Sequence, residues 1–342
     1  MKHQHLLTLA GITLSSFLVN SPQLLAANVL EANNDFVDVA KAKSVKHRFR
    51  FKKAYYAYNQ PLELVDSLKK HEENISCYVS AENPQLTHYQ TWLNRGMALQ
   101  QQNKYGESIG CFDLALSLQP DLEQAWYRRG VAFSHLKQYS QASFAYQQAI
   151  KLNKNEYSSW YNQANAYKHL GKYDKAIASF EQAIALKPEF YAAYYHLAGV
   201  LEKTGKYDDA IAAYQTTVNI EPDYYQALYS KGILLGKLKR YPEAIAAYQK
   251  VLKINPQQYQ AWYNIGNINL QLGKYDRALA AYEQAIKINP NYYLAWNNRG
   301  AALEELNQTR EALKSYSQAL QANPEYQKAL NNRRRLLMMV SL

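Results

Sequence analysis

Five tyrosines, Tyr127, Tyr161, Tyr195, Tyr229 and Tyr263, recur every 34 residues, and the positions just after them hold Arg128, Asn162, His196, Ser230 and Asn264. Asn94 and Asn298 extend the second series at either end, and Asn165 and Asn267 stand three residues further along in two of the units. A tyrosine offers an apolar ring for contact and a hydroxyl for hydrogen bonding. An asparagine side chain donates to one peptide carbonyl and accepts from one amide. Repeated at a fixed interval, such pairs suit the holding of an extended chain by its backbone, whatever its side chains. Arg128, Lys168, Lys203 and Lys237 add positive charge to the same stripe. They would favour an acidic or C-terminal segment, with binding that weakens as salt is added. A second reading of the cations stays open: in the last turn of a helix they complement its dipole, by about 0.3–1 kcal/mol each.

No pattern of comparable regularity points to catalysis. The chain has no glycine-rich phosphate loop, no G-x-S-x-G and no H-E-x-x-H. His135, His169 and His196 fall in successive units, too far apart for one ion and with no cysteine or carboxylate to complete a shell. Cys77 and Cys111 have no partner at metal-ligand spacing and support neither a zinc site nor a disulfide framework. The expectation is a non-enzymatic protein with no metal and no cofactor.

The elements that carry the stripe follow from the same period. Seven units begin at Tyr89, Glu123, Tyr157, Tyr191, Tyr225, Tyr259 and Tyr293, with no insertion or deletion between them. They span 89–122, 123–156, 157–190, 191–224, 225–258, 259–292 and 293–326. Counting columns from each start, column 8 holds only Gly or Ala, and column 20 only Ser or Ala. Column 24 is always Phe or Tyr, and column 4 is mostly Trp. Large side chains thus face small ones. Columns 4, 7, 8 and 11 share one face of a first helix, and columns 20, 24 and 27 share one face of a second. Gly171, Gly205 and Gly273 stand between the two helices, and Pro120, Pro188, Pro222, Pro256, Pro290 and Pro324 follow the second. Each unit is a helical hairpin, and a period of this kind means a solenoid in which repeats bury their faces against neighbours.

Trp160, Ala164, Tyr167, Ala176, Phe180 and Pro188 match the W-x2-L-G-x2-Y…A-x3-F…P pattern, so the chain resembles the tetratricopeptide repeat family from about Tyr89 to Tyr326. The resemblance implies an all-α, right-handed superhelix of antiparallel helix hairpins whose first helices line a concave groove. It implies a protein-interaction scaffold or assembly factor, with columns 2, 5, 6, 9, 12 and 13 facing the partner. Tyrosine and asparagine are also common in the family at columns 5 and 6, where they serve the fold itself. The family's carboxylate clamp needs Lys at columns 5 and 2, and no repeat has it, so capture of chaperone tails is not expected. Lys154 replaces the proline of the second repeat, Asn269 stands where an aromatic is usual, and Thr309 replaces the inter-helix tyrosine of the seventh. Local looseness is expected there.

The flanks bound the rest. Residues 1–27 combine a basic start, an apolar stretch from Leu6 to Val19 and small residues at Ala26 and Ala27, the anatomy of a signal peptide. Export or membrane association is the first expectation, with an uncleaved anchor and a cytoplasmic protein as alternatives. Residues 28–60 form a basic linker, in which the run from Lys41 to Lys53 could touch a membrane surface, or nucleic acid as a weaker alternative. Residues 61–88 carry helical spacing that would cap the first repeat. Residues 327–342 continue the first-helix phase as a C-terminal cap, with Leu336, Leu337, Met338 and Met339 as its expected buried face. The net charge of +11 is concentrated outside 61–88, which is acidic. No residue pattern sets an oligomeric state.

Overall fold

The computed structural model describes residues 88–340. The segments read as signal or anchor (1–27), basic linker (28–60) and N-terminal cap (61–88, but for His88) lie outside the described residues. Fifteen helices follow in order among those described: α1 Tyr89–Gln101, α2 Tyr105–Leu118, α3 Glu123–His135, α4 Tyr139–Leu152, α5 Tyr157–His169 and α6 Tyr173–Leu186. Then come α7 Tyr191–Lys203, α8 Tyr207–Ile220, α9 Tyr225–Lys237, α10 Tyr241–Ile254, α11 Tyr259–Gln271, α12 Tyr275–Ile288, α13 Tyr293–Glu305, α14 Thr309–Ala322 and α15 Gln327–Val340. Every first helix starts at the residue where the sequence period places a unit start. Each hairpin packs on the next, which gives an all-α solenoid of antiparallel helix pairs. Among the described residues no helix is long and apolar enough to cross a membrane.

One residue between the two helices of every hairpin adopts a left-handed conformation. Gly171, Gly205 and Gly273 fill that place with φ of 69°, 79° and 68°. In the other four hairpins it falls to Asn103, Lys137, Lys239 and Asn307, with φ near 60°. The backbone turn is therefore common to all seven, and only the side chain that must tolerate it changes. The second helices end two residues before the proline column. α4 stops at Leu152 in the same way although Lys154 replaces the proline, because the Trp160 indole N–H donates to the Lys154 carbonyl at 2.9 Å, as Trp126 does to Pro120.

Within a hairpin, the aromatic of column 24 lies directly on the small residue of column 8. A Cβ placed on Gly96, Gly130, Gly232, Gly266 or Gly300 would meet the Phe112 or tyrosine ring at 2.5–2.7 Å. Column 20 is fully buried throughout, from Ser108 to Ala312. A second buried stripe, not marked by the sequence reading, runs along columns 3 and 10. Ala125, Ala193, Ala227, Ala261, Ala295 and Ala329 hold column 3 with no exposure, and Ala132, Val200, Leu234 and Ala302 hold column 10. These face the preceding repeat, since Thr91 and Ala98, the same columns of the first described repeat, are exposed. Column 7, read as apolar face, is instead a tie to the preceding second helix where it is polar. The buried Arg129 pairs with Asp113 at 2.7 Å, Arg299 with Glu283 at 2.8 Å, and Lys231 donates to Gln215 at 2.8 Å.

Three expectations change. Asn269 is buried and donates to the Ile265 carbonyl at 2.9 Å, so the aromatic's place is taken by a satisfied amide. Of the residues expected to form the buried face of α15, only Leu336 is buried, while Leu337, Met338 and Met339 are exposed at 47%, 53% and 63%. α15 packs as a first helix does, through Ala329 and Leu336, and among the described residues no second helix covers its other face. Cys111, wholly buried, is disulfide-bonded, and the chain's one other cysteine, Cys77, lies outside the described residues.

Candidate functional site

First helices of adjacent repeats approach one another at most junctions, whereas second helices are held further apart. The array therefore curves with the first helices inside, and the tyrosine and asparagine columns run along that inner layer. Each column-5 tyrosine is half-buried. Its ring packs on the column-24 aromatic of its own hairpin, as in Tyr127 with Tyr146, Tyr229 with Tyr248 and Tyr263 with Tyr282, at 5.8–6.0 Å between ring centroids. Tyr161 and Tyr195 also meet Phe190 and Tyr224 at the end of the same unit, at 4.8 and 5.1 Å. The rings belong to the hairpin core; the hydroxyls reach the next repeat. Asn162 donates to the Tyr127 hydroxyl at 3.1 Å, Asn264 to Tyr229 at 3.2 Å and Asn298 to Tyr263 at 3.2 Å. Asn332 of α15 continues the same 35-residue step by donating to Asn297, which replaces tyrosine in the last repeat.

The two columns are thus one device that links neighbouring repeats. In the first pair Asn162 spends one N–H on the tyrosine oxygen and keeps one N–H and its carbonyl oxygen, whereas Asn264 hydrogen-bonds the Tyr248 hydroxyl as well as that of Tyr229. Asn162 can still offer a donor and an acceptor, and Asn264 its carbonyl oxygen. Asn298 cannot: both its N–H groups are engaged, with Tyr263 and Asn267, and its oxygen accepts from Asn297. Asn267 accepts from Tyr282 as well, at 2.8 Å. Asn165 donates to the Tyr161 backbone carbonyl, and the exposed Asn94 accepts from Gln90. In the second repeat Arg128 takes the asparagine place, half-buried, with its Nε enclosed and without a hydrogen-bond partner.

Column 13 stands over the column-17 tyrosine of the preceding repeat. His135 stacks on Tyr105 at 4.1 Å and His169 on Tyr139 at 4.3 Å, and the Lys237 ammonium lies 5.2 Å from the Tyr207 ring centre. The sequence reading had put Lys237 in the partner stripe and had not paired columns 13 and 17. The signal was confined to repeats two to five, whose column 13 reads His135, His169, Lys203 and Lys237, each one repeat after a column-17 tyrosine. Lys168 approaches His196 at 3.4 Å, Nζ to Nδ1. Burial, with Lys168 and His169 nearby, pushes the His196 pKa down to about 4, so the ring is neutral at pH 7 and accepts from the ammonium. Burial also lowers the Lys168 pKa. Buried tyrosines of column 24, Tyr146, Tyr248 and Tyr282 among them, are pushed far above the usual phenol range and stay protonated. Among the described residues, no cluster of His, Cys, Asp and Glu could hold a metal ion.

Tetratricopeptide repeat models match residues 89–122, 123–156, 145–178, 168–232, 216–259, 229–293 and 293–330. The chain belongs to the tetratricopeptide repeat family. Members of this family are typically protein-interaction scaffolds and are in general not enzymes. Among solved structures, the chain is similar to the C-terminal part of a repeat-containing protein from Cytophaga hutchinsonii, with 17% identity, 70% of this chain and 98% of that one covered, and a TM-score of 0.64. It is also similar to a tetratricopeptide repeat protein from Parabacteroides merdae, with 14% identity, 73% and 98% covered, and a TM-score of 0.51. A third likeness is to YrrB, described as a TPR protein with an unusual peptide-binding site, with 22% identity, 56% and 99% covered, and a TM-score of 0.48. No curated protein matches the chain.

Proposed function

We propose that this tetratricopeptide array is a scaffold or assembly factor that holds an extended segment of a partner protein along its first helices. The observation that carries this reading is the pairing of column-5 hydroxyls with column-6 amides across repeats. Asn162, fixed by one bond, retains one donor and one acceptor, and Asn264, engaged by both Tyr229 and Tyr248, retains its acceptor. Rigid presentation matters, because hydrogen-bonding groups whose rotamers are already held lose less entropy when a partner arrives. Arg128, Lys168 and Lys203 favour an acidic stretch in that segment, with repeats two to four as its place on the array.

The test is capture of partners from the native host with the full chain, compared with Tyr161→Ala/Asn162→Ala/Tyr195→Ala and with Asn162→Ala/Asn264→Ala, which spares the ring packing. Proteins retained by the wild type and lost from both variants are expected, with circular dichroism confirming that the variants remain helical. Identical capture by all three would sink the reading. An oxidising location outside the cytosol forms part of the proposal. The disulfide at Cys111 supports it, since such bonds persist mainly in exported proteins.

A further inference from the structure

A cavity of about 400 Å³ opens on the inner layer where the third and fourth repeats meet, lined by Lys168, Tyr173, Tyr195, His196, Gly199, Lys203 and Tyr214. It exists because column 9 of the fourth repeat is Gly199. The same column carries Met97, Val131, Asn165, Ile233 and Asn267 in five other repeats, side chains that would project into this space, and Ala301 in the seventh. A Cβ on Gly199 would meet only the Tyr214 hydroxyl, at 4.0 Å, so packing does not demand the glycine.

The charges around the cavity are unmatched. Lys168 has the neutral His196 ring as its hydrogen-bond partner, and neither Lys168 nor Lys203 pairs with a carboxylate among the described residues. Lys203 also departs from its column. Lys237 lies over the Tyr207 ring, as the histidines lie over Tyr105 and Tyr139, but Lys203 and Tyr173 are not stacked and both border the opening. Glu202, beside Lys203 in the chain, does not line the cavity and hydrogen-bonds the Tyr214 hydroxyl. The partly buried Lys168 ammonium without a counter-charge is costly, and an arriving anion relieves that cost, while the exposed Lys203 borders the same opening.

We propose that this cavity is a subsite for one carboxylate of the bound segment, seated between the Lys168 and Lys203 ammonium groups, with the hydroxyls of Tyr173 and Tyr195, not that of Tyr214, completing its hydrogen bonds. The inference rests on the groove reading above and adds the chemistry at one position of it. No arginine lines the cavity, so the fork that favours a phosphate is missing. The carboxylate can come from an Asp or Glu side chain or from a chain terminus. Arg128 and Lys237 lie outside the lining and take no part in the subsite.

The test is a selection of random peptides of about twelve residues on the full chain, half of the library with a free C-terminal carboxylate and half amidated. Four proteins are compared: wild type, Lys168→Met/Lys203→Met, Gly199→Ile and Lys237→Met. Gly199→Ile fills the space with the residue of the fifth repeat and leaves both lysines in place. Enrichment of Asp or Glu at one fixed position in both halves identifies a side-chain source, and enrichment confined to the free-terminus half identifies a terminal one. Either preference should fall by at least about tenfold in Lys168→Met/Lys203→Met and in Gly199→Ile and persist in Lys237→Met. An acidic preference that survives the first two variants, or falls equally in Lys237→Met, overturns the subsite in favour of diffuse charge. Peptides selected without acidic preference also overturn it and leave the groove reading intact. If no peptide is retained the groove reading fails, and the subsite is then judged by sodium acetate at constant ionic strength, followed at the His196 imidazole protons. A saturable shift absent from Lys168→Met/Lys203→Met supports it; a linear shift overturns it.

Discussion

His196 interrupts the asparagine column and carries a pH dependence with it. Its pKa falls from the ordinary 6.5 to about 4 on folding, chiefly by burial and then by Lys168 and His169. Between those values the unfolded chain binds the extra proton, so stability is lost as pH drops from about 6.5 and the loss levels off below about 4. The size is up to about 3 kcal/mol. Against His196→Asn, which restores the column, the wild-type melting temperature should fall more steeply over that window; parallel curves would refute the assignment. The left-handed positions give a second prediction at this scale. Lys137→Gly and Lys239→Gly each relieve a φ near 60°. Each should gain about 0.5–1 kcal/mol in chemical denaturation, partly offset by the freer unfolded chain.

At the scale of a hairpin, the column-8 glycine and the column-24 ring decide how closely two helices approach. The ring of Tyr248 would stand 2.7 Å from a Cβ on Gly232, so Gly232→Leu should cost about 1–3 kcal/mol, read from thermal or urea unfolding. An unchanged midpoint would remove the packing argument. Gly199, one column later in its own repeat, shows the contrast, since its surroundings are open and substitution there should leave stability nearly untouched. The column-5 rings answer a question the sequence had left even: their packing on column 24 explains why tyrosine suits the fold, and only the hydroxyl side remains for a partner.

Across the whole array, stability is a chain of neighbour contacts, and the last hairpin depends on α15. Ala329 and Leu336 are buried by it, Asn332 donates to Asn297, and Arg335 pairs with Glu304, which in turn accepts from the Tyr316 hydroxyl. Ending the chain after Tyr326 should speed hydrogen exchange in α13 and α14 and leave α5 to α8 as protected as before. Equal loss everywhere would mean that the array unfolds as one unit. In denatured protein from its native host, Cys111 should resist alkylation until a reductant is added, and ready labelling without one would argue against the bond and against an oxidising location.

The 34-residue period alone determined the number of described repeats, the start of every first helix, the small-against-large packing of columns 8 and 24 and the family, because each is a local rule repeated in register. The tyrosine, asparagine and lysine positions of the candidate site were likewise legible as columns. What a column cannot express is a contact between unlike columns of different repeats. The bond from column 6 back to column 5 and the stacking of column 13 on column 17 were decided only by how hairpins stack. The same is true of the exposed face of α15, which reads as buried until one asks which helix would cover it. The cavity at Gly199 depends on both: a residue written in the sequence, and four helices that leave its missing side chain as space between two unpaired lysines.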